Sequence, residues 1–371
     1  MAAPDTYTLY GTEFSLYTGK ARAYLHYKGI PYREVLSTVG VYKKVIVPRT
    51  GVRFIPVLAT PEQEYIQDTT DIIDFLEQRF PERRVYPGTP RQAVVARLLE
   101  LYGDEWLLIP AMHYRWSFPK QNEAFIMAEF GRVVLPWAPA FVRRKVARSR
   151  ASMFAGMLPI LGIDERTGPA IEAWYLETLD HLNTHFSQHR YVFGDRASIA
   201  DFGLIAPLYA HLYRDPAPGA IMRQRAPHVV RWVERMFERQ PAVGDWLPDD
   251  EVPDTLLPLL RRQFSEQFPV LRETVAAVSH WVEEHPGERL PRRLGKHRFR
   301  LGAAEGSREL MPYPQWMLQR ALDCYQGLAA DERASVDNLL GRCGGGQALQ
   351  MDIPRRLERV GNRLVPGPQQ P

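Results

Sequence analysis

The sequence predicts an α/β amino-terminal domain, an all-helical second domain and a mainly helical carboxy-terminal extension. Three observations carry this reading. Residues 1–82 alternate short apolar β runs with helical stretches, whereas residues 91–248 repeat apolar side chains at three- and four-residue spacing with no alternating strand. Residues 249–371 resume helical periodicity on either side of a basic, irregular segment. At 371 residues the chain has room for two or three domains.

In the first domain, Tyr7-Thr8-Leu9-Tyr10 reads as a strand, followed by a turn carrying Ser15 and a helix over about 18–29. Gly29 is placed to end that helix in a left-handed cap, with Pro31 just beyond. Strands follow at 32–36, at 54–59 (Phe54-Ile55-Pro56-Val57-Leu58, with a proline inside it) and at 64–66. Gln67-Asp68-Thr69 then opens a helix over 70–80, with Thr69 as its N-cap. Pro81 to Pro90 reads as a proline-rich linker.

In the second domain, Leu98, Tyr102, Trp106, Ile109, His113 and Trp116 form one face of a long helix, kinked at Pro110. Ser198-Ile-Ala-Asp201 before the apolar run Phe202–Leu208 reads as a capping box, a structural feature contributing about 1 kcal/mol. In the extension the spacing predicts helices over 254–284, 313–328 and 330–341. Pro286–Met311 reads as an irregular basic loop, and Gly344-Gly-Gly346 and the Pro/Gln-rich end as flexible. Gly302-Ala-Ala-Glu-Gly306-Ser307 lacks the Lys-Ser/Thr ending of a phosphate loop.

Composition narrows the function classes. With 47 basic and 43 acidic residues the net charge is only +4, and no dense basic stripe of a nucleic-acid binder is visible. The clusters Arg143-Arg144-Lys145/Arg148/Arg150 and Arg292-Arg293/Lys296/Arg298/Arg300 read as solvated surface, with an anion or acidic-partner site as the alternative. Two cysteines, Cys324 and Cys343, without a C-x-x-C, fit a reducing compartment and exclude a disulfide framework or cysteine-rich zinc site. Met1-Ala-Ala-Pro-Asp has no secretory pattern and no run approaches a membrane span, so a cytoplasmic location and no membrane partner are expected. Glu105 with His113 has no third ligand at metal-binding spacing, so no metal is expected.

Ser15-Leu-Tyr-Thr-Gly-Lys20-Ala-Arg22, Ile55-Pro56 and Gln67-Asp68-Thr69 before Asp71-Ile72-Ile73-Asp74-Phe75-Leu76 occur in that order within eighty residues. In this arrangement they resemble the thioredoxin-like domain of the glutathione transferase superfamily, in a serine-type, bacterial-like form. The helical second domain with its Ser198…Asp201 box and Pro227-His-Val-Val-Arg-Trp232 resembles the same family's second domain. The departure is Leu16, where the family's S/C-P-x-x-x-K/R-x-R segment has proline.

The resemblance implies glutathione as co-substrate. A free thiol titrates near pH 8.5 and is a few per cent ionised at neutrality, so the enzyme must stabilise a thiolate. Ser15, at the positive start of a helix, is the implied donor to sulfur; Tyr10 is the runner-up, and Tyr17 a further hydroxyl. Ile55, before a cis Pro56, is expected to pair its backbone with the peptide-like middle of glutathione. Gln67, Asp68 and Thr69 are expected to hold the γ-glutamyl end, Asp68 pairing the ammonium and the helix start taking the carboxylate. Trp106, His113, Tyr114 and Trp116 are either core or the lining of a pocket for a small hydrophobic electrophile. The implied reaction is conjugation of the thiolate to that electrophile, in a possible homodimer with detoxification as its use. The alternatives are another glutathione-dependent activity (isomerase, ether lyase, dehalogenase) on the same site, or a catalytically inactive binding module.

Overall fold

The computed structural model describes residues 6–134 and 136–368. Met1–Asp5 and the last three residues, read above for a leader and for a flexible end, lie outside the described residues. The chain gathers into two compact units. The first comprises 1–84, 111–157 and 205–243; the second comprises 85–110, 158–204 and 244–371.

The first unit begins with a thioredoxin-like sheet of strands β1 (Tyr7–Gly11), β2 (Tyr32–Leu36), β3 (Val57–Ala59) and β4 (Tyr65–Gln67), in the order β2-β1-β3-β4. β1 runs parallel to β2, joined by helix α1 (Leu16–Lys28), and antiparallel to β3, which pairs antiparallel with β4. A parallel pair needs such a crossover, and α1 supplies it. The central strand β1 is buried along its whole length, while edge strand β2 is largely open to solvent. Gly29 closes α1 at φ 70°, its N–H bonded to His26 O, as the sequence predicts.

Between β2 and β3 the chain is helical: α2 (Val39–Val41), a π-turn (Tyr42–Ile46) and α3 (Val47–Thr50). This segment has no counterpart in the sequence reading. Thr38 caps it through its hydroxyl, and fully buried Ile46 anchors it against Tyr10, Val57 and Ala59. The expected strand over 54–59 is shorter than predicted, because Pro56 precedes β3 rather than lying inside it. Helix α4 (Thr69–Arg79) is capped by Asp68, not Thr69.

Helices α5 (Pro90–Glu105) and α6 (Leu108–Ser117) replace the single kinked helix of the sequence reading. The break falls at Trp106-Leu107, and Pro110 sits in the first turn of α6, where a missing N–H costs nothing. Then come α7 (Pro119–Val134), α8 (Ala140–Ala155), α9 (Gly168–Gln188), α10 (Ile199–Pro207) running into a π-turn (Leu208–Tyr213), α11 (Pro216–Arg225) and α12 (Pro227–Met236). In the second unit, a Cβ on Gly103 of α5 would fall 2.4 Å from the backbone of Gly203 of α10, so glycine permits this crossing. Asp201 accepts from the N–H groups of Ser198 (2.8 Å) and Val192 (3.0 Å). The Ser198 hydroxyl donates to the same carboxylate at 3.1 Å, so Asp201 reaches back to both the amide and the hydroxyl of Ser198.

The extension holds α13 (Leu257–Arg262), α14 (Phe268–Glu284), α15 (Tyr313–Gln326) and α16 (Ala330–Gly341), with a π-turn (Gln263–Gln267) between the first two. Buried Gln263 and Gln267 donate to Leu98 O and Leu101 O of α5. The basic segment expected to be irregular forms a hairpin, β5 (Lys296–Leu301) with β6 (Ala304–Glu309). Lys296, Arg298 and Arg300 face solvent while Phe299 and Leu301 are buried. A second hairpin, β7 (Leu357–Val360) with β8 (Arg363–Pro366), turns on Gly361 and Asn362, both at positive φ. The Gly344–Gly346 segment is packed rather than loose, since a Cβ on Gly345 would overlap the Phe264 ring. The Gln315/Gln319/Arg320 pattern has a structural role. Gln319 exchanges two 2.8 Å bonds with the Leu357 backbone, Gln315 donates to Arg355 O, and Arg320 donates to the Tyr86 hydroxyl.

Candidate functional site

Ser15 is the N-cap of α1, at φ −83°, ψ 126°, and its Oγ accepts the Thr18 N–H at 3.3 Å. With the hydroxyl oxygen so engaged, its hydrogen is left to donate outward at the positive end of the helix. The close packing of strand end and helix start depends on Gly11, because a Cβ there would lie 2.2 Å from the Thr18 methyl. Leu16, at the first helical position, is buried. Lys20 is buried within α1, and Arg22 forms a bidentate pair with Glu34 at 2.7 and 2.6 Å.

Tyr10 lies on β1 in the apolar cluster with Ile46, Val57 and Ala59, and stacks on Tyr65 with ring centres 6.4 Å apart. Burial, reinforced by Tyr65, pushes its phenol pKa upward. Tyr17 is half-buried in the first turn of α1.

The Ile55–Pro56 bond is cis, as the sequence reading expects. Ile55 is half-buried and Pro56 buried. Gln67 ends β4 and Asp68 follows at φ 89°, ψ 139°, a region rarely used by a residue with a side chain. The Asp68 carboxylate accepts the Thr70 N–H at 2.9 Å. Gln67 and Thr69 are buried while Asp68 is half-exposed, so Asp68 is the most accessible of the three.

The four aromatic candidates divide among three clusters. Trp116 joins Phe14, Phe125, Phe130 and Phe154 around a small apolar core, stacking parallel to Phe154, and Phe14 stacks on Phe130 at 4.6 Å. His113 and Tyr114 pack edge to face and both contact Phe118. Trp106 belongs to the second unit, 1% exposed, against Trp174 and Phe299 with the Arg308 guanidinium 5.0 Å over its ring. The structure therefore sets Trp116 in the same cluster as Phe14, the residue before Ser15, and sets Trp106 in a core.

Sequence reasoning missed the residues that brace the Ser15 turn. Arg115 donates to Phe14 O at 3.4 Å and lies 3.6 Å from Asp215, both residues being buried. Burial pushes the Asp215 carboxyl up to about 6 against the opposing pull of Arg115, and lowers Arg115 to about 10. Arg214 links Glu13 (3.2 Å) to Glu129 (2.8 Å). Some 100 to 200 residues separate these groups from Ser15, and nothing in local spacing marks them. Among the described residues no group of His, Cys, Asp and Glu is arranged to hold a metal, and no helix is long and apolar enough to cross a membrane.

A thioredoxin-like sheet carrying a capped hydroxyl after β1, a cis-proline before β3 and an acidic cap on α4, followed by a helical domain, defines a class of protein. The family model described as "Glutathione S-transferase, N-terminal domain" matches residues 9–84, and that described as "Glutathione S-transferase, C-terminal domain" matches 169–240. Residues 9–84 and 169–240 thus match the two domains of the glutathione transferase superfamily. No curated protein matches it. Among solved structures it is similar to a Tau class glutathione S-transferase from mango, at 18% identity over 68% of this chain and 95% of that one, with a TM-score of 0.41. It is also similar to a β-etherase from a Sphingobium strain, at 18% identity over 63% and 96%, with a TM-score of 0.44. A third is a glutathione S-transferase of Ceriporiopsis subvermispora in complex with glutathione, at 19% identity over 65% and 100%, with a TM-score of 0.41.

Proposed function

We propose that this protein is a glutathione transferase joining the glutathione thiolate to a small hydrophobic electrophile, with Ser15 as the thiol-activating residue. The observation that carries the assignment is the Ser15 hydroxyl at the α1 N-terminus with its oxygen engaged by Thr18 N–H. A hydroxyl polarised in this way donates to sulfur and favours the thiolate over the thiol. Tyr10 is the weaker choice, because it is packed in an apolar cluster.

Residues 1–82 act as the glutathione-binding domain, 91–248 as the helical domain and 249–371 as an extension. Ile55 pairs with the peptide-like backbone of glutathione, Asp68 with its ammonium, and Gln67 and Thr69 with the γ-glutamyl end. Trp116 and its aromatic neighbours favour an apolar acceptor, and His113, Tyr114 and Trp106 are the further candidates for its pocket. Holding both reactants supplies orientation, and thiolate stabilisation supplies the nucleophile. The expected setting is a cytoplasmic homodimer serving detoxification, without a metal.

Calorimetric titration with glutathione tests the binding half of this reading: no heat at millimolar ligand would sink it. Thiolate absorbance of the bound ligand tests the chemical half. Ser15→Ala is expected to raise the bound thiol pKa by a unit or more, about 1.4 kcal/mol per unit, while Tyr10→Phe leaves it in place. The reverse pattern would assign the role to Tyr10.

A further inference from the structure

We infer that Arg115, held by Asp215, is a positioning residue for the Ser15 hydroxyl, an inference that rests on the reading of Ser15 as the thiol-activating group. The two residues before Ser15 are each gripped by side chains distant in sequence. Glu13 is paired with Arg214 at 3.2 Å, and Arg214 is in turn anchored by Glu129 at 2.8 Å. Phe14 is held three ways. Arg115 Nη1 donates to its carbonyl at 3.4 Å, the same guanidinium lies 5.6 Å over its ring, and the ring stacks on Phe130 at 4.6 Å. Buried His211 lies close by, its Nδ1 3.3 Å from Ala111 O.

Stability alone accounts poorly for Arg115. Its side chain is 1% exposed, and removing a guanidinium from water costs several kcal/mol unless geometry and hydrogen bonding are excellent. Here they are not: Nε and Nη2 of Arg115 and both Asp215 carboxylate oxygens make no hydrogen bond among the described residues, and the pair stands 3.6 Å apart. A well-packed apolar pair would fill the same space at lower cost. What an apolar pair would not supply is a donor fixed on the Phe14 carbonyl.

The turn has need of such a donor. The first helical position is Leu16, which does not fix φ in advance as a proline does there. A hydroxyl that must meet a sulfur works within a tolerance of about 0.5 Å, and displacement by about 1 Å costs on the order of a hundredfold in rate. Arg115 supplies from outside the turn the constraint that Leu16 omits, and Asp215 keeps the guanidinium charged and aimed.

The test uses the full chain and glutathione, with affinity read by calorimetry and bound thiol pKa by thiolate absorbance. Arg115→Met is expected to leave glutathione affinity within about threefold, because Ile55 and Asp68 are untouched, while raising the bound thiol pKa by about one unit, a tenfold loss of thiolate. Arg115→Lys, which keeps charge and one donor direction, is expected to recover part of that shift. Asp215→Asn, nearly isosteric, repeats the Arg115→Met shift in milder form and serves if the methionine variant does not fold. A folded Arg115→Met or Asp215→Asn protein with the wild-type thiol pKa overturns the inference. Ser15→Ala separates the two layers. If it leaves the thiol pKa unchanged, the reading of Ser15 falls; if it raises the pKa while Arg115 and Asp215 variants do not, only the positioning role falls.

Discussion

The carboxylate of Asp68 accepts the amide of Thr70 at 2.9 Å while its own backbone is held at φ 89°. One residue thus caps α4, absorbs backbone strain and offers a half-exposed negative charge. Asp68→Asn keeps the cap and removes the charge, so glutathione affinity is expected to fall about tenfold or more with thermal stability nearly unchanged. Asp68→Ala is expected to lose the affinity and, in addition, roughly 1 kcal/mol of stability through the cap. Calorimetric affinity beside thermal melts of both variants distinguishes the two contributions.

The Gly103–Gly203 crossing leaves no room for a methyl group, with 2.5 Å from a Gly203 Cβ to Glu100 Cα. Both neighbours are backbone, so neither yields by a rotamer change. Gly203→Ala is expected to destabilise the second unit by roughly 1–3 kcal/mol despite the better helix propensity of alanine. A denaturant melt showing equal or greater stability would contradict this packing.

His185 is fully buried, and burial, reinforced by nearby His189, lowers its pKa to about 3 from an ordinary value of 6.5. Its folded form resists protonation while the unfolded chain accepts it. The stability held by neutral His185 is therefore complete above pH 6.5 and is withdrawn as pH falls from 6.5 towards 3. At about 1.4 kcal/mol per pKa unit this one group withdraws roughly 3 kcal/mol by pH 4. His185→Gln, which cannot titrate, is expected to flatten the loss of stability between pH 6 and 4 in denaturant melts.

Gln319 substitutes for a strand edge, exchanging two bonds with Leu357. Gln319→Leu leaves the Leu357 backbone groups without partners and is expected to cost about 2–3 kcal/mol. Faster amide exchange confined to 355–366 is the corresponding local readout.

Much of the local structure around the candidate site was legible because its parts depend on local chemistry. A glycine past a helix, a proline near a strand and an acidic residue before Thr-Thr-Asp-Ile-Ile each act within a few residues of themselves. The segment Val39–Thr50 was not legible, since Val-Gly-Val-Tyr-Lys-Lys-Val-Ile-Val-Pro is rich in β-branched residues and its helix rests on the Thr38 cap and buried Ile46. The β5–β6 hairpin carried a signal that its charge obscured. In Lys296-His-Arg-Phe-Arg-Leu301 the cations alternate with side chains that turn inward. Gly361-Asn362 was likewise a hairpin turn in plain sight. The Arg115 and Arg214 contacts carry no such local mark, because the fold alone brings them to Phe14 and Glu13.

The first compact unit is threaded from three separate lengths of chain, 1–84, 111–157 and 205–243. For anyone cutting or recombining the gene, this makes the familiar boundary after the βαβ sheet a poor one. A fragment ending at Arg84 would keep Asp68 and the Ile55–Pro56 edge but discard Arg115, His211, Arg214 and Asp215. On the proposed reading, it would keep the residues assigned to glutathione and lose those assigned to bracing Ser15. On the same reading, a chimaera joined at that point would take its glutathione contacts from one parent and the bracing of its hydroxyl from the other.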